Sequence, residues 1–117
     1  MALNFSKNNF KYCLQHWLEI NHIESNVPNS TIFPHRTGIV IGGSVRMGEK
    51  CRISQGVTIG SKSRFDKNQP VLGNNVVVYC GAVIIGKISI GDNAIIGAGS
   101  IVLKDVPRNK LVVGVWK

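Results

Sequence analysis

The sequence predicts an all-β fold, a parallel β-helix of six-residue units with a short N-terminal helix and a protruding loop at about 61–70. Three observations predict it. Aliphatic residues return every sixth position at Leu72, Val78, Ile84, Ile90, Ile96 and Val102, and four places after each stand Val76, Ala82, Ile88, Ala94, Ser100 and Val106, mostly small or β-branched. An earlier run keeps the same rhythm in Ile41, Met47, Ile53 and Ile59, with Val45, Cys51 and Val57 at the fourth place. Between the runs lies SKSRFDKNQP, residues 61–70, polar and without the repeat. A strand has period 2 and a helix 3.6, so neither alone requires a repeat of six.

Taken in order, FSKNNFKYCLQHWLEI (residues 5–20) puts Phe10, Leu14, Trp17 and Leu18 on one helical face. A short helix there would cap the open end of a solenoid and protect its unpaired edge. The chain accordingly divides into a helical cap, 1–20, and a β-helix domain, 21–117. Each hexad of the second part reads as a short strand plus a turn, with one large and one small side chain pointing inward. Gly42, Gly48, Gly60, Gly73, Gly91 and Gly97 follow the large residue, where the chain bends and a Cβ would often clash. Three hexads make a triangular coil, and coils stack as parallel strands roughly 4.8 Å apart.

The residue between the small inward position and the next large one should face outward. On that count Val77 lies below Ile95 and Val83 below Ile101, while the third face shows Ser89 and Pro107. Two aliphatic faces and one polar face suit a three-fold ring, because each subunit of a homotrimer meets two neighbours. The plainer reading is that strands favour Val and Ile anyway.

The 117 residues suffice for one modest domain, and their net charge of +8 favours an anionic partner. The fourteen Lys and Arg are scattered singly, without interleaved aromatic platforms, so nucleic acid is not the expected partner. No run of eighteen apolar residues occurs, which argues against membrane insertion. Cys13, Cys51 and Cys80 are an odd number without CxxC spacing, and MALNFSKNNFKYC lacks an apolar signal core. Free thiols and a cytoplasmic location are expected.

The non-repetitive stretch FPHRTGIVIG (33–42), followed by ISQGVTIG (53–60), GAVIIG (81–86), IGAGSIV (96–102) and KDVP (104–107), resembles a known family. It is that of the hexapeptide-repeat acyltransferases, left-handed parallel β-helices that work as trimers, closest to the serine acetyltransferase branch and its relatives in surface-polysaccharide pathways. The resemblance covers roughly residues 20–115. Left-handedness is implied by it alone, and a right-handed β-helix is the structural alternative.

The resemblance implies an acetyl-CoA-dependent O- or N-acetyltransferase with His35 as general base. A neutral imidazole removes the proton from an acceptor hydroxyl or amine as it attacks the thioester. Backbone N–H groups can stabilise the oxyanion. The thiolate leaves readily, a thiol pKa lying near about 8.5. Against this, the hexad register counted back from Ile41 puts His35 in an inward slot, where a His is commonly a core or corner residue. His16 and His22 read as structural.

For the donor, the resemblance implies a pantetheine groove at Gly60, Ser61, Cys80, Ala82, Ala98 and Gly99, with Lys104 and Arg108 near the coenzyme's phosphates. Lys110 is a further candidate for those phosphates, and a solvated basic tail is the alternative for all three. Cys80 stands where the family usually has Ala or Gly. The branch usually closes with Gly-Val-Pro-Ala, whereas GVWK stands at 114–117.

The acceptor positions depart from the pattern. The serine enzymes carry an Asp just before the catalytic His, and Pro34 stands here. Their orienting Asp falls at Ile20, beside Glu19, with Glu24 as another candidate. Their Arg-His pair before a Pro is replaced by Asn68-Gln69-Pro70. These departures point to a sugar or glycan-precursor acceptor rather than L-serine. The alternative is a catalytically inactive trimeric scaffold or binding module. A γ-type carbonic anhydrase site is rejected, since His16, His22 and His35 lack its metal-binding arrangement.

Overall fold

The computed structural model describes residues 21–64 and 66–117, and the expected helical cap at 1–20 lies outside them. The described residues form thirteen short strands, and among these residues no helix is long and apolar enough to cross a membrane. A six-stranded sheet stacks β1 (His22–Ile23), β2 (Val40–Ile41), β5 (Thr58–Gly60), β8 (Val83–Ile85), β11 (Ile101–Val102) and β13 (Val115–Trp116). A four-stranded sheet holds β4 (Arg52–Ile53), β7 (Val77–Val78), β10 (Ile95–Ile96) and β12 (Leu111–Val112). The third contains β3 (Arg46–Met47), β6 (Val71–Leu72) and β9 (Ser89–Ile90). Every pairing is parallel, and from β2 to β11 the chain visits the three sheets in rotation. The architecture is an all-β coil of three parallel sheets.

The hexad sets the interior. Val57 and Ile59, Val76 and Val78, Ala82 and Ile84, Ile88 and Ile90, Ala94 and Ile96 are buried as small–large pairs. Removing each Val or Ile from water stabilises the coil by roughly 1.5–3 kcal/mol before entropy is counted. Ser100 takes a small slot and donates to the Val112 carbonyl at 3.4 Å, which satisfies its buried hydroxyl. Outside, Val40, Ile101 and Val115 are exposed on the six-stranded sheet, and Ile95 and Leu111 on the four-stranded one. The three-stranded face presents Arg46, Val71 and Ser89.

Register departs from the strict count in three places. Thr58 pairs with Val83, twenty-five residues on instead of the eighteen separating Val40 from Thr58, so the 61–70 excursion adds seven residues. Near the end the coils shorten: Leu111 pairs with Ile95 sixteen residues on, and Val115 with Ile101 fourteen residues on. Pro107 therefore does not stack on Ser89. Val106 bridges Ile90, and the Asp105 carboxylate accepts the Ser89 N–H at 2.9 Å. The third departure concerns His35.

Candidate active site

His35 sits at the corner where the chain passes from the four-stranded to the six-stranded sheet. Ile32 bridges Arg52, and Val40 pairs with Thr58. Eight residues thus separate Ile32 from Val40 where six separate Arg52 from Thr58. The two extra residues swing the imidazole outward, so His35 is exposed rather than inward-facing. The hexad count placed it inside because counting back from Ile41 passes over that insertion. Spacing from Ile32 to Val40 was the signal that would have found it.

The turn is tied on both sides. Its own Thr37 N–H donates to the His35 carbonyl at 2.9 Å, and the Gly56 N–H above donates to the Thr37 carbonyl at 2.9 Å. From the coil beneath, the Asn21 side chain donates to the Arg36 carbonyl at 2.7 Å and accepts from the Ile39 N–H at 3.0 Å. Arg36 lies over the Phe33 ring, 4.8 Å from its centroid. The Glu24 carboxylate meets the His22 Nε2 at 2.5 Å.

The corner continues upward as a bare backbone edge. Gly56, Gly81 and Gly99 follow Gly38, all in the left-handed region, with successive turns linked by Gly81 N–H to Gln55 O and Gly99 N–H to Cys80 O. Cys80, Ala98 and Gly99 are exposed along this edge, in line with His35. A Cβ built on Gly99 meets nothing within 4 Å, so the backbone there faces open space. The side chain of Ala82 is fully buried in the core, and its carbonyl accepts the Thr58 N–H at 3.0 Å.

The remaining expected residues lie on other edges. Gly60 and Ser61 open the loop at the far side of the six-stranded sheet and line a cleft of about 540 Å³ with His22, Glu24, Arg64 and Gln69. Gln69 is held in place, its Oε1 accepting the Ser44 N–H at 2.7 Å. The presence of the His22–Glu24 pair in this cleft was not foreseen from sequence. Lys104 and Lys110 flank Trp116, with their ammonium groups 4.7 and 5.4 Å from its ring centroid, and Trp116 Nε1 donates to the Asp105 carbonyl at 2.9 Å. Arg108 belongs to a different corner, packed over Gly91. The His35 edge and the loop cleft thus lie at opposite margins of one sheet.

Residues 69–104 match the family described as bacterial transferase hexapeptide (six repeats). The chain is 44% identical over 95 residues to a serine acetyltransferase of Synechococcus elongatus, an alignment covering 80% of this chain and 39% of that protein. It is 38% identical over 94 residues to a serine acetyltransferase of Helicobacter pylori, covering 80% and 55%. Among solved structures, Neisseria gonorrhoeae serine acetyltransferase in complex with serine superposes with a TM-score of 0.68 at 41% identity, over 73% of this chain and 35% of that one. The chain spans about half or less of the length of these relatives.

The relatives overturn the expected sugar acceptor and count against an inactive scaffold, since they are serine acetyltransferases by name. The sugar expectation rested on Pro34, Asn68 and Gln69, three positions weighed against 44% identity over 95 residues. Gln69 is itself committed to anchoring the Ser44 amide.

Proposed function

We propose that this chain, a member of the hexapeptide-repeat transferase family, transfers the acetyl group of acetyl-CoA to the hydroxyl of L-serine, in a left-handed coil assembled as a homotrimer. His35 is the general base of this reading. Its imidazole takes the proton of the serine hydroxyl as the oxygen attacks the thioester carbonyl. The tetrahedral intermediate collapses with loss of the coenzyme A thiolate, which takes up a proton while the imidazole returns to its neutral form.

The observation that carries the reading is the exposed His35 at the foot of the bare corner formed by Cys80, Ala98 and Gly99. An extended pantetheine arm fits such an edge because small residues admit close backbone approach. Support for the trimer comes from the separation of the half-sites. His35 on one copy and the Gly60–Ser61 cleft on the next complete a site only across a subunit boundary, and the exposed Val40, Ile101 and Val115 lie on the sheet between them. Lys104 and Arg108 remain candidates for the coenzyme's phosphates by charge.

Thiol release from acetyl-CoA, followed with and without L-serine, tests the proposal. Serine-dependent release is expected, and His35→Ala should lower kcat by about 10²–10⁴-fold with an unchanged thermal midpoint. Acetyl-CoA binding without serine-dependent release, or full activity in His35→Ala, would overturn it.

A further inference from the structure

We propose that Asn21 is a positioning residue for His35, setting the corner backbone on which the imidazole stands. The proposal rests on the reading of His35 as the base. The His35 turn carries two residues more than the corners above it, so the stacking that fixes those corners cannot fix all of this one. Its upper side is held at Thr37 by the Gly56 N–H. Among the described residues, the lower side is held by one side chain. The Asn21 amide gives a hydrogen to the Arg36 carbonyl at 2.7 Å and receives one from the Ile39 N–H at 3.0 Å, bridging the residue after His35 to the first core residue beyond the turn. A carboxamide combines donor and acceptor in one rigid plane, so a single residue spans the excursion.

Asn21 is itself fixed by its neighbour. The His22 N–H donates to the Ile39 carbonyl at 2.8 Å, which continues the strand ladder immediately after Asn21. The amide is therefore presented from the residue that leads into a paired strand. Ile39, one of its two partners, is fully buried. Loss of the side chain would leave the Ile39 N–H without its acceptor in the core and free the Arg36 peptide to rotate. Either change moves the imidazole relative to a thioester lying along the corner, without touching the surface that holds the donor.

The test compares Asn21→Ala, the isosteric Asn21→Asp, His35→Ala and the Asn21→Ala/His35→Ala double variant. Because small displacements of a catalytic group cost much of its effect, Asn21→Ala should lower kcat about tenfold while KM for acetyl-CoA stays within about twofold. Asn21→Asp keeps the acceptor and loses the donor to Arg36, so its kcat should fall as well. The double variant should be no slower than His35→Ala alone, since Asn21 acts only through His35. Hydrogen exchange at the Ile39 amide should quicken in Asn21→Ala, a readout independent of turnover. A slow Ile39 amide in Asn21→Ala, an unchanged kcat, or losses that multiply in the double variant would overturn the proposal while leaving His35 as base. Full activity in His35→Ala would remove both.

Discussion

At two of its corners the coil turns through the same left-handed backbone, yet the residues there differ. Where the three-stranded sheet gives way to the four-stranded one, the left-handed positions are Lys50, Asn75, Asn93 and Asn109, with φ of 60°, 56°, 62° and 61°. Where the four-stranded sheet gives way to the six-stranded one, they are Gly38, Gly56, Gly81, Gly99 and Gly114. Asparagine tolerates this region better than other residues with a Cβ, so the first corner shows that the turn alone does not demand glycine. The asparagine corner is closed by side chains: the Glu49 N–H donates to Asn74 Oδ1 at 2.8 Å, and the Asn74 N–H to Asp92 Oδ1 at 2.7 Å. The glycine corner is open. Bare backbone at the edge shared with His35 is what a ligand lying along the coil axis needs, and the asparagine corner is built for cohesion.

The sharpest way to break this contrast is to crowd the closed corner. A Cβ on Gly91 would collide with the backbone nitrogen of Arg108 and lie 2.6 Å from its Cα, atoms that cannot move without opening the last coil. Gly91→Ala should destabilise the protein by roughly 2–3 kcal/mol, as overpacking does. Denaturant unfolding of the two proteins measures it. A variant as stable as the parent would mean that the closed corner is looser than its contacts imply.

A smaller, paired effect separates the two corners by function. Gly99→Ala and Asn93→Ala each put alanine in the left-handed region; Gly99→Ala should cost about 1–2 kcal/mol and Asn93→Ala less, because asparagine already carries a Cβ there. Both thermal midpoints should therefore fall, that of Gly99→Ala further. Calorimetric titration with acetyl-CoA should distinguish them. The new methyl of Gly99→Ala projects into open space on the candidate groove, and its Kd should rise about tenfold, or 1.4 kcal/mol. Asn93→Ala should leave Kd unchanged. Equal binding in both variants would place the donor elsewhere.

The sequence reveals the cohesive parts of this molecule better than the open ones. Inward residues such as Val57, Ile59, Val76 and Val78 were readable because packing enforces their period on every coil. The aliphatic ladder of Val77 and Ile95 followed from the same count. The count fails where residues are added or removed, since a repeat reports spacing and not path. His35 emerges outward for that reason, and Ser89 meets Asp105 instead of Pro107. The cleft lined by His22, Glu24 and Gln69 joins residues far apart in the chain, which no local pattern marks. For the acceptor, a few substituted positions were given more weight than the matched coils around them.

The two described cysteines carry the same contrast to its smallest measurable consequence. Cys80 is exposed on the glycine corner, whereas Cys51 is buried beside the asparagine corner, with its Sγ 3.2 Å from the Gly73 carbonyl and 3.7 Å from that of Gly48. Burial pushes the Cys51 thiol above its ordinary 9.0, with a backbone hydrogen bond at Val76 pulling the other way. An unfolded chain then loses this proton at lower pH than the folded one, so the folded state holds more protons between the two values. Stability should be insensitive to this group below pH 9 and decline as pH rises past 9, where the thiolate would face two carbonyl oxygens. Cys51→Ala should remove that part of the alkaline decline, and denaturant midpoints taken from pH 8 to pH 10.5 would show it. An identical decline in Cys51→Ala would assign the alkaline loss to other groups. It would also mean that the closed corner admits water to its sulfur, leaving it less distinct from the open one than its geometry indicates.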